Sequence, residues 1–317
     1  MTVNKSNLVK LAFSRELQPE QLTLDYIYGR DAQSFEIGYM ARMQVQCAMP
    51  YTEPKSNEYE RRSGNFILNL ISPSRYGLPY GILPRVISLW ATSTVARTKQ
   101  RRLYAGETIS ELIRMLGMEA SGGRNGSRTR FREQLKRMAA SSISISYDNG
   151  QHWALSKVDI FSDMAWMLED KVEETSHWSP ELILGEKFFQ EAVMKPVPID
   201  LRVVNYIRRH GASPLALDIY AWLSYRNSYL ERMTDISWEK LEAQFGTNFG
   251  GRANVVSIEG KQPKAIGGDR RHRFAFRELF KSQLKTVISY YPAKVVLRDT
   301  GLRLIPSATS VPTLPRG

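Results

Sequence analysis

The stretch DRRHRFAFRELFKSQLKTVISYY (269–291) decides the fold, because a basic helix of the same kind occurs earlier in the chain in the same surroundings. A short helix, DISWEKLEAQFG (235–246), precedes it, and a hairpin, AKVVLRDTGLRLI (293–305), follows it. The earlier copy runs through TISELIRMLG (108–117), SRTRFREQLKRMAAS (127–141) and ISISYDNGQHWALSKVDIF (143–161). Helix, turn, basic helix and hairpin is the order of a winged helix. The sequence therefore predicts an α+β, helix-rich fold with two tandem winged-helix domains.

The repeat divides the chain into two halves. Its 317 residues are enough for about two domains, and an acidic stretch, DMAWMLEDKVEETSH (163–177), separates the two copies. We predict an N-terminal arm at 1–32, a first winged-helix domain at 33–162, a linker at 163–183, a second winged-helix domain at 184–306 and a disordered tail at 307–317. The tail is rich in Pro, Ser and Thr, a composition that does not support a packed core.

Hydrophobic spacing predicts the elements around each copy. ILPRVISLWATSTVART (82–98) has the period of a helix, and PLALDIYAWLSYRNSYL (214–230) is its counterpart in the second half. Segment 35–49 and the strand NFILNLI (65–71) are expected to pair across a polar loop at 50–64. The Gly-rich loop at 246–268 is long, and loops of this length are usually functional or mobile.

The charge balance points to a polyanionic partner. The formal net charge is +12 and the pI is about 9.7, which favours nucleic acid or an anionic membrane surface. The basic residues sit on the patterned helices, so we expect double-stranded DNA and no membrane partner. A transmembrane run and a secretory signal are not evident. The single cysteine, Cys47, excludes an internal disulfide and a multi-cysteine zinc site, so a cytoplasmic location is expected.

The first basic helix combines one apolar stripe with a basic side. Phe131, Leu135 and Met138 fall at i, i+4 and i+7, and residues 124–137 contain six basic residues and one acidic residue. A solvated helix in a neutral protein would interleave acids with these charges. A recognition helix instead needs exposed arginines that reach phosphates and guanine edges in the major groove. The elements before and after the helix favour DNA contact over a merely solvated basic face.

The second basic helix repeats this arrangement. Phe276, Phe280, Leu284 and Val287 form its stripe, and Asp269 is the predicted N-cap. Residues 261–285 carry eight basic residues and two acidic ones. Arginines crowd the first turn, where a positive charge opposes the helix dipole unless a polyanion compensates it. Base contacts come from the first turns of a recognition helix, so this cluster lies where readout would occur.

The basic side chains of the two helices form the predicted DNA-binding set. Its members are Arg124, Arg128, Arg130, Arg132, Lys136, Arg137, Arg270, Arg271, Arg273, Arg277, Lys281 and Lys285. The tight turns Asp148-Asn149-Gly150 and Asp299-Thr300-Gly301 predict hairpins. These wings can touch phosphate or form plain sheet edges, and the sequence does not choose between the two.

Catalysis finds little support in the sequence. The four histidines are scattered without metal-ligand spacing, and a phosphate-binding G-x-x-x-x-G-K-[ST] loop is not found. We therefore expect a protein that is not an enzyme and that has no cofactor and no metal. A nuclease or relaxase is the alternative that these observations disfavour. A winged-helix transcriptional repressor is an alternative that the sequence separates poorly from other DNA-binding functions.

Several strings occur in an order that resembles the plasmid-encoded RepA family of replication initiators. They include GLPYGILPRVISLW (77–90), ARTKQRRLYAG (96–106), SGGRNGSRTRFREQLKRM (121–138), PVPIDLR (196–202) and SPLALDIYAWLSYR (213–226). The resemblance covers roughly residues 35–306. It implies an initiator that binds repeated sites (iterons) at a plasmid origin, helps to open the DNA, and recruits host replication proteins such as a helicase and the host initiator. By analogy, it also implies a homodimer formed through the first domain.

Overall fold

Helices and strands are interspersed along the chain in the computed structural model, which describes residues 37–46, 48–63, 65–106, 108–165, 181–209, 213–246 and 270–311. The helices are α1 (Arg42–Gln46), α2 (Ile82–Thr98), α3 (Ile109–Met115), α4 (Ser127–Ala140), α5 (Glu186–Met194), α6 (Leu201–Arg209), α7 (Pro214–Asn227), α8 (Trp238–Phe245) and α9 (Arg270–Ile288). The strands are β1 (Ile37–Met40), β2 (Glu58–Ser63), β3 (Phe66–Ile71), β4 (Arg102–Tyr104), β5 (Ser142–Asp148), β6 (Trp153–Val158), β7 (Phe161–Ala165), β8 (Glu181–Leu184), β9 (Val197–Asp200), β10 (Thr234–Ser237), β11 (Val295–Arg298) and β12 (Gly301–Leu304). Every strand pair in these residues is antiparallel. The architecture is therefore a mixed one of helices and antiparallel sheets.

The two long central helices lie where hydrophobic spacing predicts them. The bounds of α2 match the predicted range of 82–98. In the second half, α7 begins at Pro214, and the hydroxyl of Ser213 accepts a hydrogen bond from the Ala216 N–H at 3.4 Å. Proline at the first helical position and serine at the N-cap both favour a helix start. Both helices are buried on several sides, with Trp90 and Tyr220 almost fully excluded from solvent.

Each half repeats one order of elements: a strand, two helices and two further strands. The order is β4, α3, α4, β7 and β8 in the first half, and β10, α8, α9, β11 and β12 in the second. Both three-stranded sheets place the last strand in the centre, as β4-β8-β7 and β10-β12-β11. The first helix of each pair is capped by a hydroxyl, since Thr108 accepts from the Glu111 N–H and Ser237 from the Lys240 N–H. The two halves therefore share this topology, except that β5 and β6 lie between α4 and β7 in the first half.

The hairpin predicted at 143–161 forms but joins a different sheet. Strands β5 and β6 pair across the turn at Asn149-Gly150, and β5 continues onto β3, giving the order β2-β3-β5-β6. Ile143 and Ile145 lie opposite Leu70 and Leu68, so their apolar side chains extend the buried face of that sheet. The strand β4 instead pairs with β8. The hairpin is thus an addition between α4 and the strands that complete the small sheet.

The strands near the start of the described chain also differ from expectation. Strand β3 pairs with β2, which lies inside the segment predicted as a polar loop. The described part of segment 35–49 does not pair with β3; its strand β1 pairs with β9 of the second half. A polar strand forms at 58–63 because its alternate side chains Tyr59 and Arg61 are buried, while its other face is polar.

The two halves share one interior. A single cluster of buried apolar side chains runs from Met40 to Leu304. Arg85 of α2 and Asp218 of α7 form an ion pair at 2.8 Å between the halves, with side-chain exposures of 2% and 7%. The predicted linker at 163–183 begins within β7 and ends within β8. The halves are therefore packed against each other, which two separately folded units would not require.

The C-terminal segment differs from the predicted disordered tail over residues 307–311. The hydroxyl of Tyr291 donates to the Ala308 carbonyl at 2.9 Å, and the Lys294 N–H donates to the Ser307 hydroxyl at 3.0 Å. Ser310 and Val311 are buried, and contacts with Tyr220 of α7 and with the segment after α9 order this stretch despite its composition. The predicted arm at 1–32, Cys47, the N-cap Asp269, the loop at 247–268 and the end of the tail at 312–317 lie outside the described residues.

Candidate nucleic-acid interface

Helix α4 turns its predicted stripe inward. Phe131, Leu135 and Met138 are buried against α2, α3 and β7. Gln134, on the same side, is also buried and accepts a hydrogen bond from the Tyr80 N–H at 2.9 Å. The stripe and this side-chain contact fix the rotation of the helix about its own axis. The remaining positions of α4 therefore face outward in a defined direction.

The start of α4 is held by a compact loop. The Ser121 N–H donates to the Ser127 hydroxyl at 2.8 Å, and the Ser127 N–H donates to the Ser121 hydroxyl at 3.0 Å. At Gly126, a Cβ atom would lie 2.3 Å from the Gly122 carbonyl oxygen, so the loop requires glycine there. Arg124 sits on this loop and is exposed. The loop thus positions one predicted DNA-binding residue beside the helix N-terminus.

The basic residues of α4 differ in exposure, and some of them contact other residues of the chain. Arg130 is exposed, whereas Arg128, Arg132, Lys136 and Arg137 are half-buried. Lys136 forms a 3.5 Å ion pair with Glu133. The exposed positions Arg124 and Arg130 remain the most accessible cations of the predicted first-half set.

Arg137 is held by its own protein. It forms an ion pair with Glu53 at 2.6 Å, donates to the Leu78 carbonyl at 3.2 Å and lies 5.1 Å from the centroid of the Tyr80 ring. Burial and the negative charge of Glu53 raise the pKa of Tyr80. Arg137 therefore fastens α4 to the segment before α2, a structural role that the charge pattern alone does not reveal.

Helix α9 is anchored by an aromatic cluster. Phe280 lies 6.0 Å from Trp238, 5.6 Å from Phe245 and 5.7 Å from Phe276, measured between ring centroids. Aromatic pairs at these separations and tilts are favourable beyond the area that they bury. Leu284 and Val287 continue the buried stripe. The predicted stripe of the second basic helix is confirmed, and the helix packs on both α7 and α8.

The basic residues of α9 differ in how far they are exposed to solvent. Arg271, Arg273 and Lys285 are exposed, whereas Arg277 and Lys281 lie over the Trp238 ring at 5.5 and 5.8 Å from its centroid. Lys281 also pairs with Glu278 at 2.8 Å. The side chain of Arg270 lies outside the described residues. Arg271, Arg273 and Lys285 are therefore the most accessible cations that the structure describes on this helix.

Two carboxylates of α8 lie in the field of these arginines. Hydrogen bonds at the start of α8 lower the pKa of Glu239, and Arg277 and Arg273 add to this effect. Burial raises the pKa of Glu242, while the same two arginines oppose that rise. The charge of α9 is thus compensated in part from the preceding helix. Spacing along α9 cannot show this, because the acids belong to another element.

The charge pattern of the sequence does not predict two features of this surface. Phe274 lies among the arginines of the first turns of α9 and is 65% exposed, so packing does not account for an aromatic residue there. An apolar residue on the polar side of an amphipathic helix is the signal that could have found it. An open groove of about 470 Å³ runs between α9 and β11. Its lining residues are Glu278, Lys281, Ser282, Leu284, Lys285, Ile288, Val295 and Leu297.

The described residues show no cluster of His, Cys, Asp and Glu side chains with the arrangement of a metal site. Among the helices that the structure describes, none combines the length and the apolar character needed to span a bilayer.

The chain was compared with known protein families, curated proteins and solved structures. The family model described as plasmid encoded RepA protein matches residues 78–240, just over half of the chain. No curated protein matches the chain. Among solved structures, the RctB domains 2–3 spanning residues 155–483 are similar with a TM-score of 0.43 and 11% identity, over 82% of this chain and 93% of that chain. A selenomethionine derivative of RctB domains 2 and 3 has a TM-score of 0.40 and 14% identity, over 66% of this chain and 77% of that chain.

Proposed function

This chain belongs to the plasmid-encoded RepA protein family of replication initiators, and we propose that it starts plasmid replication by binding repeated double-stranded sites at the origin. Binding promotes opening of the adjacent DNA and recruits host replication proteins, including a helicase and the host initiator. The protein acts without a catalytic site, a metal or a cofactor of its own. It works in the cytoplasm on the plasmid.

The single observation that carries this proposal is the exposed basic start of α9. Arg271 and Arg273 are exposed in the first turns of a helix whose rotation is fixed by a buried aromatic cluster. The first turns of a recognition helix are the part that contacts base edges. Cations placed there are favourable when they meet phosphates or guanine edges. The helix therefore has both the orientation and the chemistry of a DNA-reading element.

We infer that each half works as a winged helix. In both halves a strand, two helices and a two-stranded return give a sheet with the last strand in the centre. In the second half the return is the tight turn at Asp299-Thr300 between β11 and β12. In the first half it is the pair β7 and β8. These orders support two recognition helices, α4 and α9, each of which enters a major groove.

A footprint on the DNA that flanks the gene tests the proposal. Two units on one duplex face reach successive grooves about one turn apart, so protected repeats of roughly 20 bp are expected. Arg273→Ala should cost about 1–3 kcal/mol of discrimination between specific and non-specific DNA. Lys195→Ala is the matched control, since it removes one exposed positive charge outside both basic helices. Absence of protected repeats would refute origin binding.

A transcriptional repressor with the same DNA-binding units remains the second candidate. A footprint does not separate the two functions, because both bind specific duplex sites. Persistence of a plasmid that carries the candidate origin does separate them. An initiator supplied in trans maintains such a plasmid, whereas a repressor makes no difference to it.

A homodimer through the first half is part of the proposal. Strand β6 lies at the edge of its sheet, where Trp153 is 68% exposed and Leu155 is 47% exposed. An edge strand with exposed apolar side chains is a template for pairing with another chain. Leu155→Lys should shift a dimer toward monomer in sedimentation velocity. An unchanged sedimentation profile of a dimeric protein would remove β6 as the contact.

A further inference from the structure

The short helix α8 of the second half is held at its C-terminal end by an arginine of the first half. The Arg61 guanidinium extends from β2 and donates to the carbonyl oxygens of Ala243 and Gly246, at 3.4 Å for Ala243. Its other nitrogens donate to the Tyr59 hydroxyl, which in turn donates to the Ala48 carbonyl at 3.2 Å. Arg61 is 7% exposed, so this contact is built into the interior.

The first half shows the reciprocal contact. Arg208, in the last turn of α6, donates to the carbonyl oxygens of Leu116 and Gly117 at 2.5 and 2.8 Å. These carbonyls end α3, the helix that corresponds to α8. Each half thus supplies one guanidinium to the end of the other half's short helix.

Helix ends explain why arginine suits these two positions. The last carbonyls of a helix lack partners within the helix, and they carry the negative end of its dipole. A guanidinium offers several donors in a fixed plane and can satisfy two carbonyls at once. Burial and the neighbouring Arg209 lower the pKa of Arg208 to about 10, and the two carbonyls are the hydrogen-bond acceptors that meet its buried guanidinium.

The two contacts lie beside the elements that set the positions of the basic helices. Helix α3 packs against α4, and α8 packs against α9. Between the halves, Arg85 pairs with Asp218, and β1 pairs with β9 in the register Ile37↔Asp200 to Met40↔Val197. A rigid connection therefore runs from α4 through α3, Arg208 and the central contacts, and then through Arg61 and α8 to α9.

We propose that Arg61 and Arg208 are positioning residues that fix the distance and rotation between the two DNA-reading helices, so that the chain accepts a single spacing between its two half-sites. This inference rests on the proposed function. It goes beyond that function because it assigns spacing selection to contacts remote from the DNA. Each inserted base pair moves one half-site by about 3.4 Å and rotates it by roughly 35°. Two DNA-reading helices that are held rigidly relative to each other cannot follow such a shift.

Binding to a series of origin half-sites separated by zero, one, two or five added base pairs tests this inference. For the wild-type protein we expect at least about a 30-fold loss of affinity at two added base pairs, because one of the two DNA-reading helices loses its base contacts. For Arg61→Gln/Arg208→Gln we expect less than about a 5-fold loss on the same DNA, with the unmodified site bound somewhat more weakly. Arg209→Gln, an exposed neighbour on α6 with the same change of charge, should keep the wild-type spacing profile.

The outcomes separate the inference from the proposed function. Failure of the wild-type protein to bind origin repeats overturns the proposed function. Specific binding with an equally steep spacing profile in the wild-type and double-variant proteins overturns the inference alone. If the double variant does not fold, the single variants Arg61→Lys and Arg208→Lys are measured on the same spacing series instead. Lysine keeps the charge but not the paired donors, so each should give a shallower profile than wild type, and an unchanged profile in both refutes the assignment.

Discussion

Replacing Arg85 by methionine removes the charge at the centre of the contact between the two halves. Its guanidinium donates two hydrogen bonds of 2.8 Å to the carboxylate of Asp218. It also donates to the carbonyl oxygens of Met49, Pro50 and Gly81 at 2.7, 3.2 and 2.7 Å. With 2% of the Arg85 side chain exposed, water cannot take over these contacts after the substitution.

The expected cost follows from that burial. Removing one partner of a buried ion pair leaves an uncompensated charge and costs about 3–5 kcal/mol. The free energy of unfolding of natural proteins is typically about 5–15 kcal/mol, so Arg85→Met should remove a large part of it. Arg85→Met/Asp218→Leu leaves neither charge in the interior and should cost less than the sum of the two single changes. Its residual cost comes from the carbonyls of Met49, Pro50 and Gly81, which lose the guanidinium as a donor.

Urea unfolding followed by circular dichroism measures these costs. Arg42→Met is the matched control, because Arg42 also joins the halves through an ion pair, with Glu191 at 3.3 Å, but on the surface. An exposed pair contributes less than about 1 kcal/mol. The reasoning is refuted if Arg85→Met costs no more than Arg42→Met. Two separate unfolding transitions in the wild-type protein would also refute it, since they would mean that the halves do not share one cooperative core.

Four further results are expected. Lys285→Ala should weaken binding to all duplex sequences alike and lower the slope of log affinity against log salt by about one. Phe274→Ala should leave the melting temperature unchanged but reduce the preference for thymine over deoxyuracil at contacted positions, because an exposed apolar side chain can contact the thymine methyl group. Thr108→Ala removes the acceptor of the Glu111 N–H and should cost about 1 kcal/mol in thermal unfolding. Burial raises the pKa of Tyr291 to about 12. Its stabilising contribution is therefore complete below about pH 10 and disappears as the pH rises to about 12. The wild-type protein should lose about 2–3 kcal/mol more over that range than Tyr291→Phe.

Local rules predict the helices because their determinants lie within one or two turns. The bounds of α2, the Thr108 cap and the buried stripes of both basic helices all follow from the spacing of side chains three and four residues apart. The hairpin at 295–304 follows from its tight turn in the same way. Each of these features is fixed by residues that are close in the sequence.

Strand partners and the contact between the halves depend on residues that are far apart in the sequence. Strand β2 appears polar because Arg61 occupies one of its inward positions, and two of the acceptors that allow its burial, the Ala243 and Gly246 carbonyls, lie 182 and 185 residues later. The hairpin of β5 and β6 has a recognisable turn, but nothing in its sequence chooses β3 over β4 as the neighbour. The packing of the two halves around one shared core depends on distant residues for the same reason, since local spacing does not show which apolar faces meet.

The arginines of this chain show why net charge identifies a partner class but not the contact residues. Arg61, Arg85 and Arg208 all donate to carbonyls at or beside helix ends, and Arg137 pairs with Glu53. The donors of these cations are engaged within their own protein, and those side chains are not available to contact a nucleic acid. Arg124, Arg130, Arg271 and Arg273 are exposed on or beside the two basic helices. Substitutions of the first group should therefore change stability and half-site spacing, while substitutions of the second should change affinity and sequence preference. A screen that scores both properties would separate the two groups without a structure of the complex.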